Sequence, residues 1–249
     1  MPDYTVRTLE EITLNAWPSL KTRYYDGWVV RFADGYTRRA NSVNPLYLSS
    51  LDIHSKIQTC EAIYSERGLN TVFKLTPQVC PDDLDATLDS LGYKLDAPTS
   101  VQTMALDTLD PPTGTNARLS LQYTDAWLDA FCWMNSVPEQ HHATMTRLLD
   151  HIAPRTAYAM LLDGERVAAV GLAVADGGYV GLFDIVVAPE LRGRGLGEQL
   201  VLYLLDWGRA AGAHTGYLQV MLNNAPALRL YERVGFREVY RYWYRVKRR

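Results

Sequence analysis

Arg192-Gly193-Arg194-Gly195-Leu196-Gly197 is the stretch of this 249-residue chain whose residue types and spacing point most directly to chemistry. An apolar run, Tyr179–Val187, leads into it. Helical spacing then starts at once: Leu196, Leu200, Val201, Leu204, Trp207 and Ala211 share one face, and Gly212 sits where a C-terminal glycine cap belongs. Strand, glycine-rich turn and helix together place unpaired backbone N–H groups at the positive end of a helix dipole, and the glycines let a ligand approach the backbone closely. Arg192 and Arg194 add full positive charge beside it. Such a nest holds phosphate. The turn lacks the Lys-Ser/Thr ending of a nucleotide-hydrolysing loop, and its glycines miss the dinucleotide-binding spacing.

The elements around this turn must position it. Ala157–Leu162 and Val167–Ala175 are apolar runs joined by Asp163-Gly164-Glu165-Arg166, which predicts a hairpin. Tyr217–Leu222 predicts a further strand, Ala225–Val234 a short helix and Glu238–Val246 a last strand. Upstream, Asp125–Asn135 and Glu139–Ile152 predict two helices, entered at Thr124 and at Ser136 with Pro138. The order is helix, helix, three strands, helix, strand, helix, strand, a mixed α/β layering around one sheet.

With these elements in place, VVAPELRGRGLGEQL resembles the signature motif of the GNAT superfamily of acetyl-CoA-dependent N-acyltransferases, with Arg192, Gly195 and Gly197 at its patterned positions. NNAPALRLYERVGF is similar to a second segment of that superfamily, matched by Asn224, Tyr231, Gly235 and Phe236. The resemblance implies that Arg192, Gly193, Arg194, Gly195, Leu196 and Gly197 hold the pyrophosphate of coenzyme A. It also implies that the strand at Val186 and Val187 pairs with the pantetheine arm, that Asn224 contacts that arm or the adenosine end, and that Tyr231 stands near the thioester sulfur.

Amide formation needs an amine that loses its proton, a donor for the oxyanion and a proton for the leaving thiolate. Tyr231 is the acid this resemblance selects, and a backbone N–H near Val187 can polarise the carbonyl. Several groups compete for the role of base: Asp184 on the strand before the loop, Glu190 beside it, His141 and His142 near the predicted helix starts, or ordered water. Tyr240, Tyr242 and Tyr244 alternate along the last strand with Trp243, where core or cleft lining is a simpler use than catalysis. The expected activity is transfer of an acetyl group from acetyl-CoA to a primary amine, on a small molecule or a peptide α-amino group. An acyl-CoA-responsive binding module without transfer is the alternative.

The first half carries a faint copy of the second at an offset of 143–144 residues. Gly92-Tyr93 lies over Gly235-Phe236, Gly68 over Gly212 and Asn44-Pro45 over Ala188-Pro189, with a helical stretch, Ser50–Glu66, in place of the signature helix. Leu46–Leu51 is glycine-free where the second half has its nest, and Leu88 stands where Tyr231 does, so this copy is expected not to bind coenzyme A. The polar cluster Arg38, Arg39, Asn41, Ser42 and Asn44 suits a polar wall or a loop capping a sheet edge equally. Two prolines and a glycine in Leu109–Thr115 mark the boundary. The expected fold is therefore α/β with two GNAT-like halves, residues 1–115 and 116–249, each a mainly antiparallel mixed sheet flanked by helices.

Composition narrows the class. The chain is 47% hydrophobic and 21% charged, the pattern of a globular protein with a core. Residues 1–117 carry ten basic and fifteen acidic side chains, a net of −5, and the remainder a net of +2. That balance argues against a nucleic-acid partner, and Arg245–Arg249 reads as a solvated basic tail. No apolar run approaches the roughly 18 residues of a membrane span. The opening MPDYTVRTLEE carries acids early and has no signal core, and Cys60, Cys80 and Cys132 lack metal or disulfide spacing. A cytoplasmic location is expected, with no metal.

Overall fold

The computed structural model describes residues 6–112 and 116–248. The first five residues of the opening segment, Thr113–Thr115 of the boundary segment and Arg249 lie outside the described residues. Two compact units emerge, and neither is contiguous in sequence. One takes in the chain up to Ser100 with Ala143–His151 and everything from Tyr240; the other takes in Val101–His142 and Ile152–Val239.

The second unit carries the glycine-rich turn. Helix α4 (Asp125–Met134) is capped by Thr124, whose Oγ1 accepts from the Trp127 N–H at 3.2 Å. Pro138 lacks the N–H that a helix reaching further back would use. Accordingly the predicted helix over Glu139–Ile152 begins as a 3-10 turn, Glu139–His141, and only then becomes α5 (His142–Asp150), which from Ala143 onward belongs to the first unit. The predicted hairpin forms as β7 (Arg155–Asp163) and β8 (Arg166–Asp176), and β9 (Tyr179–Val187) follows antiparallel to β8. Helix α6 (Leu196–Ala210), strand β10 (Thr215–Met221) and helix α7 (Ala225–Val234) complete the expected series. A short strand, β6 (Ala117–Ser120), pairs with β7; its four residues carry too little periodicity to be read locally. The strands lie in the order β5-β10-β9-β8-β7-β6, where β5 (Lys94–Ala105) enters from Val101 onward. Leu200, Val201, Leu204 and Leu205 of α6 pack with Leu182, Leu218 and Phe236 to form the core.

The first unit repeats the pattern. Helix α1 (Val6–Ala16), the hairpin β1 (Lys21–Tyr25) and β2 (Trp28–Phe32), strand β3 (Val43–Pro45), helix α2 (Ile53–Ser65), strand β4 (Thr71–Leu75) and helix α3 (Leu84–Ser90) follow one another. The strand order is β1-β2-β3-β4-β11, where β11 (Arg237–Lys247) contributes its portion from Tyr240. β3 runs parallel to β4 as β9 runs parallel to β10. β11 in the first order and β5 in the second each come from the opposite half of the sequence.

That exchange corrects the reading of Arg245 as part of a solvated tail. Arg245 and Lys247 lie in β11 opposite Phe73 and Thr71 of β4. Arg245 is buried, with its Nε 2.8 Å from Asp85 Oδ1 and a second ion pair to Asp89, and Lys247 pairs with Glu61 at 2.9 Å. A buried polar group sits beside this strand: Lys74 is paired with Glu10, and the Tyr240 hydroxyl donates to Glu10 at 2.7 Å. The three cysteines are free. Among the described residues, no helix is long and apolar enough to cross a membrane.

Candidate active site

β9 and β10 pair in parallel from Thr215–Tyr179 to Leu218–Leu182 and then part, although β9 continues to Val187 and β10 to Met221. Val186 and Val187 keep their antiparallel partners Val170 and Ala169 on β8, so their other edge borders the opening between the two parallel strands. A bulge sharpens this divergence. Phe183 faces Leu172 and Val186 faces Val170, leaving Asp184 and Ile185 opposite Gly171, and Asp184 takes a left-handed φ of 53°. Asp184 is thus a half-buried carboxylate at the bend of the strand that leads to the glycine-rich turn.

At the end of β9, a 3-10 turn (Pro189–Leu191) leads to Arg192, whose Nε donates to the Val187 carbonyl at 3.3 Å. Gly193 and Gly195 adopt φ of 78° and 79°, and Gly195 stands at the N-cap of α6 with no side-chain cap bond. A Cβ at either glycine would meet no protein atom within 4 Å, so the space in front of the turn is open. The first N–H groups of α6 lack intrahelical partners. Arg192 and Arg194 are exposed beside them. Glu198, an acid in the first turn, is drawn aside by Arg233 of α7 at 3.2 Å. The local field is therefore positive, which suits an anion.

Tyr231 lies on α7, 9% exposed, with its ring edge-on to Phe236 at 5.9 Å. Burial pushes its phenol up to about 12, so it holds its proton throughout the neutral range. Asn224 is the N-cap of α7, and its Oδ1 accepts from the Ala227 N–H at 3.3 Å. That gives Asn224 a local structural role whatever else it touches. Glu190 is paired with Arg166 of the β7–β8 turn. Its own backbone N–H, followed by the charges of Arg166 and Arg192, holds its carboxyl below the usual range. His142 contacts the Val137 carbonyl at 2.9 Å through Nε2. Leu88, the counterpart of Tyr231 in the first unit, is fully buried core.

The corresponding loop of the first unit holds a surprise. Asp26, in the β1–β2 turn, accepts from the backbone N–H of Ser50 at 3.0 Å and of Leu51 at 2.9 Å, and from the hydroxyls of Ser49 and Ser50 at 2.8 Å each. Lys56 Nζ lies 3.0 Å from the same carboxylate, with its side chain wholly buried. The glycine-free sequence predicted no anion-binding nest here. The fold builds one from serines and a lysine and fills it internally, a partnership spanning 24 residues that no local pattern signals.

Residues 4–245 match the family described as "Probable histone acetyltransferase Rv0428c C-terminal". The chain is 28% identical over 249 residues to "Uncharacterized N-acetyltransferase YobR" of Bacillus subtilis, covering 98% of this chain and 99% of that protein. It is also 28% identical to "Probable histone acetyltransferase Rv0428c" of Mycobacterium tuberculosis, covering 93% and 70%. A "[Ribosomal protein bS18]-alanine N-acetyltransferase" of Salmonella typhimurium is 38% identical over 78 residues, covering 31% of this chain and 53% of that protein. Among solved structures, a GCN5-related N-acetyltransferase from Kribbella flavida shares the fold with a TM-score of 0.72 at 13% identity, covering 98% and 96% of the two chains. A tandem GNAT protein from the clavulanic acid biosynthesis pathway does so with 0.65 at 12%, covering 96% and 87%. With the match running from residue 4 to residue 245, the chain belongs to the Rv0428c C-terminal acetyltransferase family and is an N-acetyltransferase of the GNAT type.

Proposed function

We propose that the second unit transfers an acetyl group from acetyl-CoA to a primary amine by direct attack on the thioester. The observation that carries this reading is the uncapped start of α6, with its two left-handed glycines, beside a parallel strand pair that parts after Leu182 and Leu218. The turn Arg192–Gly197 takes the diphosphate, and the free edge of β9 at Val186 and Val187 takes the amide-bearing pantetheine arm, which can pair like a strand. Asn224 contacts the arm from the start of α7. A backbone N–H near Val187 polarises the thioester carbonyl.

The neutral amine attacks that carbonyl; a C–N bond forms and the C–S bond breaks. The nitrogen gives up a proton, for which Asp184 is the candidate acceptor, directly or through water. Tyr231, protonated at neutral pH, donates to the departing thiolate. The acceptors in the relatives' names include a ribosomal-protein alanine and streptothricin. Both are consistent with a small molecule or a peptide α-amino group here.

The test is thiol release from acetyl-CoA in the presence of a panel of small amines and peptides with free α-amino groups. Amine-dependent release that disappears in Tyr231→Phe supports the assignment. Tight acetyl-CoA binding without release across the panel points to a binding module instead.

A further inference from the structure

We infer that the first unit retains an anion cradle and carries its own ligand, the carboxylate of Asp26, in the place where the second unit receives a diphosphate. The equivalence rests on connectivity. Hairpin, strand, helix, parallel strand and helix follow in the same order in both units, and the loop Leu46–Leu51 precedes α2 as Arg192–Gly195 precedes α6. The inference depends on reading the second loop as the diphosphate site.

Two backbone N–H groups, two hydroxyls and one buried ammonium converge on Asp26. That donor set would suit a phosphate oxygen equally well. The carboxyl is held far below its usual range, chiefly by the Leu51 N–H and then by Ser50. The turn that delivers it is pressed onto the loop. Gly27 takes φ of 80°, its carbonyl accepts from the Tyr47 N–H at 3.1 Å, and a Cβ there would collide with the Leu48 and Tyr47 carbonyl oxygens. In the second unit the matching turn behaves oppositely. Gly164 has no protein atom within 4 Å of its Cβ position, and the charged side chain delivered towards the loop region is the cation Arg166, onto Glu190.

The slot beside the cradle is closed as well. Residues 76–83 separate β4 from α3, against 222–224 between β10 and α7. This longer segment folds back so that the Cys80 N–H donates to the carbonyl of Pro45, the last residue of β3, at 3.2 Å, while Trp28 Nε1 donates to the Cys80 carbonyl at 3.0 Å. By the offset between the two halves Val43 stands where Val187 does, and the strand edge that takes the pantetheine arm in the second unit is already paired in the first, Val43 with Phe73 of β4. One chain therefore binds one coenzyme A, and the first unit stands permanently in a liganded state.

The experiment uses the full chain carrying Asp26→Ala, with coenzyme A added to saturation so that the second cradle is filled. Inorganic phosphate is then titrated against chloride at matched ionic strength. Phosphate should raise the melting temperature of the variant by about 5 °C at a hundredfold excess over its dissociation constant and leave the wild type unmoved. The amide resonances of Ser50 and Leu51 should shift in the variant alone. Should Asp26→Ala not fold, Asp26→Asn, which keeps the volume and loses the charge, should speed hydrogen exchange at Ser50 and Leu51 at least tenfold. Phosphate-blind amides in Asp26→Ala, or unchanged exchange in Asp26→Asn, would overturn the inference. Calorimetry on the wild type separates the two readings: no coenzyme A bound refutes the second-unit site, one bound per chain leaves it standing, and two bound refutes the closed first unit.

Discussion

Gly195→Val places a β-branched residue at φ of 79°, a region that L side chains avoid, with the new Cβ pointing into the open space before α6. The substitution has two separable costs. Left-handed backbone at a non-glycine residue costs about 1–2 kcal/mol, which falls on stability. The second cost falls on the ligand. Hydrogen bonds to a charged group contribute about 1.5–3 kcal/mol each. Holding the diphosphate off one or two of the α6 N–H groups then weakens coenzyme A by about 3 kcal/mol, a loss of two orders of magnitude in affinity. Gly177→Val is the control. Gly177 takes φ of 56° in the β8–β9 turn, and its Cβ position is also open, so the strain is similar and the cradle is untouched. Calorimetric titration with coenzyme A, alongside thermal melts, reads both costs. The two variants should lose comparable stability, and only Gly195→Val should lose affinity. Equal affinity in the two would refute the assignment of the cradle.

Tyr231→Phe should lower turnover by about 100-fold with coenzyme A affinity unchanged, since the hydroxyl acts only as the thiolate forms; unchanged turnover on a competent amine would reduce Tyr231 to packing. The same variant should be less sensitive to alkali. A phenol raised from 10 to about 12 contributes stability that is complete below pH 10 and lost as pH rises through 12, so removing it should flatten part of the stability decline in that window, as read by urea titrations at pH 9 to 12. Lys74→Met strands the buried Glu10 carboxylate and should cost about 3–5 kcal/mol in urea unfolding, whereas Lys74→Met with Glu10→Gln should cost distinctly less. Arg245→Met breaks the pairs to Asp85 and Asp89 and should cost about 1–3 kcal/mol, with accelerated hydrogen exchange in β11 opposite β4.

Local pattern alone identified the glycine-rich turn, the hairpin before it, α6 with its Gly212 stop and the Tyr231 helix. Each is a statement about neighbours in sequence: apolar period sets the element, and glycine sets where the backbone may turn left-handed. The left-handed conformation of that turn was legible for the same reason, since it is made by consecutive residues. Tertiary structure decided what depends on partners far apart in the chain. Arg245 looks like one of a run of exposed cations until β11 pairs with β4 and sets Asp85 and Asp89 around it. Ser49, Ser50 and Lys56 look like an ordinary polar helix entry until the hairpin turn brings the Asp26 carboxylate onto them. The splay of β9 from β10 has no sequence signature either, because it is set by where pairing ends and by a bulge whose register only the β8 partner defines. Side-chain type and spacing specify the elements and the chemistry they can offer; strand partners, and the charges those partners bring together, come from long-range burial that no window of neighbouring residues contains.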